Sequence, residues 1–150
     1  MMAAAALLVA LGAFRLFLTT RYSLIPDECY YWLWSKFPDW CYFSKGPLVA
    51  WTIWLGTAVG GDTAIGVRWP AVALHVATGW LMFSLARQMF GGRAALWTLF
   101  VAMTVPLFAV GGIVMTIDPL SVFFWAAGAV ACWGAWRRPT CGGWLLVGAM

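Results

Sequence analysis

Charge is what this sequence has least of. Only 9% of its 150 residues are charged: five acids and nine Lys and Arg, with a single histidine besides. A soluble domain carries roughly 25%, and with 64% of the residues hydrophobic a soluble fold is excluded. The net charge of +4 does not signal nucleic acid, because the cations stand singly between apolar blocks and form no basic stripe. Cysteine is also sparse. Cys29, Cys41, Cys132 and Cys141 show no CxxC or other ligand spacing, which leaves zinc and thioredoxin-type chemistry without support. Free thiols are expected; Cys29 and Cys41, in one loop, are the two that could pair in an oxidising compartment.

What is abundant is the apolar block. Length suggests about one domain, and blocks without polar faces must be covered by lipid. The expected fold is an all-α integral membrane protein, a multi-span helical bundle. Spans are expected at about 3–20, 65–86, 94–114 and 119–136, with a fifth beginning at 143. A signal peptide is the rival reading of the first, but Arg15 divides its apolar run and further spans follow. Residues 21–64 form an outer loop. Its Tyr and Trp residues suit the headgroup region, where an amphipathic ring has both an apolar and a wet side. Within it, Pro47 to Val59 is too short to cross comfortably and lies between Gly46-Pro47 and Gly60-Gly61, so an interfacial or re-entrant helix is expected there. Ending at Met150 inside an apolar run points to a longer protein.

Arginine placement sets the orientation. Arg87 and Arg93 follow the second span and Arg137 and Arg138 the fourth, while the turn from Gly111 to Asp118 has neither Lys nor Arg. The positive-inside rule puts the arginine loops in the cytoplasm, which places the 21–64 loop and Asp118 outside. Arg21, Lys36, Lys45 and Arg68 then also lie outside, against the bias, and must pair with nearby acids or meet an anionic partner.

Three acids gather on that outer side: Asp27, Glu28 and Asp118. Each has a plain explanation. Asp27 after Pro26 fits an N-cap with Glu28 beside the helix dipole, and Asp118 before Pro119 fits a cap with proline at the first helical position. Lys45 could snorkel to headgroups, and His75, with no obvious charged partner in the bilayer, reads as a packing residue. Taken together, carboxylates and cations on one face suit a reaction in which a base deprotonates a hydroxyl while cations steady a departing phosphate. Polyprenyl-phosphate sugars carry such a leaving group at a membrane surface.

The ordered series Asp27-Glu28-Cys29-Tyr30-Tyr31-Trp32-Leu33-Trp34, Asp39-Trp40-Cys41-Tyr42-Phe43-Ser44-Lys45-Gly46-Pro47-Leu48, Gly61-Asp62 and Val67-Arg68 resembles the start of glycosyltransferase family 39. This family includes bacterial aminoarabinose transferases and protein O-mannosyltransferases of the GT-C architecture. Met115-Thr116-Ile117-Asp118-Pro119-Leu120 resembles its second acidic motif, and the likeness runs from about Leu7 to Arg138. It implies Asp27 as the principal catalytic carboxylate, Glu28 in support, Asp118 as the second acid, Tyr31 and Tyr42 lining the site, and Lys45 on the lipid-linked phosphate. It also implies transfer of a sugar, with inversion, from a polyprenyl phosphate to a lipid, glycan or protein hydroxyl, outside a bacterial inner membrane. Two positions depart from the pattern. Lys45-Gly46-Pro47 replaces a frequent Lys-Pro-Pro, and Ser44 stands where aminoarabinose transferases have a metal-associated glutamate, so metal use stays open. A transporter or ion-pathway subunit and a non-catalytic truncated membrane protein are the alternative readings.

Overall fold

The computed structural model describes residues 1–150 and is all-helical, with eight helices and no strand. In chain order they are α1 (Met2–Thr19), α2 (Pro26–Ser35), α3 (Leu48–Gly60), α4 (Ala64–Phe90), α5 (Gly92–Thr104), α6 (Pro106–Gly111), α7 (Asp118–Arg137) and α8 (Cys141–Ala149). Three of them, α1, α4 and α7, are long and apolar enough to cross a membrane. Much of their apolar surface faces outward: Phe14, Phe17, Trp125 and Trp136 are exposed, as expected where lipid rather than protein covers the helix.

α4 is the axis of the bundle and packs against α1, α3, α5 and α7. It joins two apolar clusters. One unites Ala4 and Leu8 of α1 with Phe83 of α4 and Leu99 and Met103 of α5. The other unites Tyr31 of α2, Val49 and Ile53 of α3, Val67 and Ala71 of α4, and Met115 and Leu120 beside and within α7. α3 can lie against α4 because glycines line the seam. A Cβ at Gly56 would come within 2.7 Å of Pro70 Cγ and closer still to the Gly66 carbonyl oxygen. Gly61, at φ 70°, then turns the chain between the two helices, a conformation that glycine adopts without steric cost.

The segment expected as a continuous third span, 94–114, is instead broken into α5 and α6. Pro106 has no N–H to continue the ladder, and it pushes the preceding residue out of the α region. Val105 is accordingly extended, at φ −58° and ψ 125°. α6 ends at Gly111 and leads through a short turn to α7. Arg87, Arg93, Arg137 and Arg138 all lie at or just beyond helix ends on the side of the bundle opposite α2, the α3–α4 turn and the start of α7.

Candidate active site

The site forms where α2 meets the α6–α7 turn. Ile25 precedes the helix in extended conformation, Pro26 starts it, and Glu28 at the third position accepts the Ile25 N–H at 3.1 Å. This capping arrangement satisfies an N–H that the helix itself cannot. Glu28 therefore does the local work expected of Asp27, which sits one turn position earlier, exposed and with no side-chain hydrogen bond.

Glu28 is fully buried and holds much more than its own helix. Its Oε1 accepts from Arg68 Nε at 2.8 Å and its Oε2 from Arg68 Nη2 at 2.5 Å. Oε1 also accepts the Met115 N–H at 3.0 Å. Arg68, at 2% exposure, spends its remaining donors on the carbonyls of Tyr22 and Ser23, both at 2.9 Å. A two-pronged guanidinium–carboxylate pair fixes geometry as well as distance. One ion pair thus ties the end of α1, the start of α2, the first turns of α4 and the approach to α7. Glu28, grouped with the catalytic acids on sequence grounds, has both carboxylate oxygens engaged in these bonds.

Asp118 stands at the first turn of α7, but the expected cap is absent. Ile117 occupies the cap position in helical conformation, and neither its side chain nor that of Asp118 caps the helix. Asp118 is exposed and bonds locally instead: Thr116 Oγ1 donates to Oδ2 at 3.0 Å, and the Asp118 N–H donates to Thr116 Oγ1 at 3.3 Å. Capping, a sufficient account of Asp27 and Asp118 from sequence, thus explains neither.

Tyr31 lies one turn after Asp27 on α2. Its ring is buried in the cluster of α3, α4 and α7. Burial first, and then the negative charges of Asp27 and Asp118, hold its hydroxyl above the ordinary tyrosine range. The starts of α2 and α7, which carry the two acids, lie at the same end of the bundle, joined by the bond from Met115 N–H to Glu28. Tyr42 has a different part. Its ring stacks on Trp34 at 4.6 Å and 10°, and its hydroxyl donates to the Phe37 carbonyl at 2.9 Å while accepting the Asp39 N–H at 3.0 Å. It shapes the loop wall, with its hydroxyl already engaged.

The outward cations divide. Arg68 pairs with Glu28, Lys36 bonds Asp62 alongside Trp32 Nε1, and Arg21 sits over the Phe17 ring at 4.7 Å. Those bonds hold Asp62 below the usual carboxylate range. Lys45 has no ion pair. It stands at the edge of a groove of about 400 Å³ between α3 and α7, lined chiefly by Leu48, Val49, Leu120, Phe124 and Trp125. A cation at the mouth of an apolar groove can receive an anionic head whose tail is hydrocarbon. Ser44 is exposed, and no three His, Cys, Asp or Glu side chains come together as a metal site. All four cysteines are free.

Sequence reasoning missed one association. His75 does have a charged neighbour, Arg15 of α1, and the two flank Gly112. The signal was Arg15 itself, an ionisable residue inside a span.

Comparison with known proteins fits this geometry. Residues 44–150 match the family described as dolichyl-phosphate-mannose-protein mannosyltransferase. The chain belongs to this family. Among curated relatives, it is 31% identical over 123 residues to a lipid A galacturonosyltransferase of Rhizobium johnstonii, covering 81% of this chain and 26% of the relative. It is also 31% identical over 160 aligned positions to the undecaprenyl phosphate-alpha-4-amino-4-deoxy-L-arabinose arabinosyl transferases of Pseudomonas aeruginosa and Pseudomonas paraeruginosa, covering 95% of this chain and 29% of each relative. The chain thus spans less than a third of the length of these relatives. No solved structure matches it. It is a multi-pass membrane protein of GT-C type, from a family of glycosyltransferases.

Proposed function

We propose that this chain supplies the acidic half of the active site of a membrane glycosyltransferase that moves a sugar from a polyprenyl phosphate to a hydroxyl acceptor. The observation that carries this reading is the placement of two exposed carboxylates, Asp27 and Asp118, neither used as a helix cap, at one end of the bundle, where Glu28 of α2 accepts the Met115 N–H at 3.0 Å just before α7. The reaction takes place on the extracytoplasmic side of a bacterial inner membrane, and the name of one relative, the lipid A galacturonosyltransferase, favours lipid A among lipid, glycan and protein acceptors.

In the proposed step, Asp27 takes the proton of the acceptor hydroxyl as its oxygen attacks the anomeric carbon. A new C–O glycosidic bond forms, the bond from that carbon to the phosphate oxygen breaks, and the electron pair leaves with the phosphate. Direct displacement from the opposite face inverts the anomeric centre. Asp118 holds the acceptor or the sugar in line, and Tyr31 remains a neutral hydrogen-bond donor because its neighbours oppose ionisation. Lys45 meets the phosphate, with the isoprenoid in the apolar groove beside it. Glu28 and Arg68 keep the two acids in register.

The test uses the complete protein in membranes with lipid A and undecaprenyl phosphate carrying radiolabelled 4-amino-4-deoxy-L-arabinose or galacturonic acid. Asp27→Asn and Asp118→Asn should each lower transfer by at least a hundredfold, the lower end of what a positioned proton acceptor contributes, with insertion unchanged. Full transfer by both variants would sink the assignment.

A further inference from the structure

Below the exposed acids lies a polar cluster for which the transfer step has no use. Arg15 is inside the first span at 5% exposure; its Nη2 donates to the Met103 carbonyl at 3.1 Å, and its Nη1 is buried without a partner. The break at Val105–Pro106 interrupts the backbone ladder beside Met103, which explains a carbonyl turned toward a guanidinium. On α4, His75 is 8% exposed and its Nε2 is likewise buried and unpartnered. The two side chains meet around Gly112. A Cβ there would lie 2.7 Å from His75 Cγ and 2.9 Å from Nδ1, and closer to Arg15 Nη1. Only a residue without a side chain fits between them.

Arg15 carries its charge at bilayer depth without a carboxylate in contact, since the two ion pairs of the molecule are Glu28–Arg68 and Lys36–Asp62. Buried polar groups and charges left unpaired cost several kcal/mol as an order of magnitude. A route to compensation is present. A cavity of about 40 Å³ is lined by His75, Thr78, Gly111 and Asp118, leading from the buried imidazole to the exposed acid. It is far too small for a sugar or a phosphate, but one water, at roughly 30 Å³ of liquid volume, fits. Thr116 engages only Oδ2 of Asp118, leaving Oδ1 for another donor.

We propose that Arg15 and His75 are positioning residues for Asp118. His75 holds a water in this cavity and donates to it, the water donates to the Asp118 carboxylate, and Arg15, which does not line the cavity, supplies the balancing positive charge from behind Gly112. The inference rests on the reading of Asp118 as the second acid of a transferase site, and it extends that site into the membrane by two helices.

The experiment compares His75→Phe with His75→Gln in the complete protein, reading kcat and donor KM with the substrates above and hydrogen–deuterium exchange over residues 111–118. His75→Phe should lower kcat at least tenfold with donor KM within twofold, and should raise exchange in that segment. His75→Gln keeps a side-chain N–H for the cavity and should restore both to within threefold of the parent. Equal behaviour of the two variants, or parental kcat and exchange in His75→Phe, overturns the proposal. If the parent transfers neither sugar, the transferase reading with these two donors fails by itself, and the exchange comparison still decides whether the cluster holds the Asp118 turn. Should His75→Phe not fold, Arg15→Met against Arg15→Lys makes the same comparison, with the same outcomes expected and the same ones overturning.

Discussion

At the scale of single residues, burial separates side chains that the sequence presents as equals. Asp27 and Glu28 are neighbours of the same chemical type, yet one faces solvent and the other is enclosed by Arg68 and two backbone N–H groups. Nothing in the order Asp-Glu says which will turn inward; the answer depends on Arg68, forty positions away. Tyr31 shows the same dependence. Its hydroxyl is raised first by burial and then by Asp27 and Asp118, so removing one negative neighbour should lower its ionisation midpoint only partly. Ultraviolet difference titration of Asp27→Asn, with Tyr31→Phe subtracted to isolate this tyrosine, should place the Tyr31 midpoint below that of the parent but still above an exposed tyrosine. An unchanged midpoint would mean that Asp27 is too distant to share a substrate with it.

At the scale of elements, ties between helix ends shape the site. Truncating one partner of a buried ion pair leaves the other charge stranded, at a cost of about 3–5 kcal/mol, so Glu28→Ala and Arg68→Met should each lose most of the folded protein. The loss should show as a fall in detergent melting temperature of the complete protein, far larger than for Asp27→Asn. The second tie, Lys36 and Trp32 on Asp62, joins α2 to the turn before α4 at the surface. Asp62 is held below its ordinary range, so its contribution is complete above the unfolded carboxylate value and is lost as pH falls through the lowered one. Protection of residues 26–36 against hydrogen exchange, taken relative to the intrinsic rate at each pH, should therefore fall in acid, and Asp62→Asn should show the lowered protection already at neutral pH. The three long apolar helices α1, α4 and α7 were legible, because apolar length is a local property. The break at Pro106 was legible in principle and was overridden by the evenness of the apolar run around it. The ties were not legible, since they join residues 26 to 87 positions apart. Capping was the local rule that misled: it accounted for Asp27 and Asp118 too easily, and the capping proved to be Glu28's.

At the scale of the whole molecule, the question is which end of the bundle faces out, and the native cysteines can answer it. Cys29 on α2 and Cys41 in the following loop are exposed at the end that carries Asp27 and Asp118, while Cys141, also exposed, begins α8 just beyond Arg137 and Arg138. The positive-inside rule puts the arginine end in the cytoplasm, and a polyprenyl-phosphate donor must be met on the opposite side if the proposed reaction is right. In a complete protein whose only cysteine is Cys29 or Cys41, an impermeant maleimide added to intact spheroplasts should react, and in one whose only cysteine is Cys141 it should not until the membrane is opened. The reverse pattern would turn the acidic site toward the cytoplasm and remove the extracytoplasmic reaction. Labelling of Cys29 together with Cys141 in intact spheroplasts would instead show that α4, the α5–α6 segment and α7 do not all cross, because three crossings between positions 29 and 141 place those two cysteines on opposite sides.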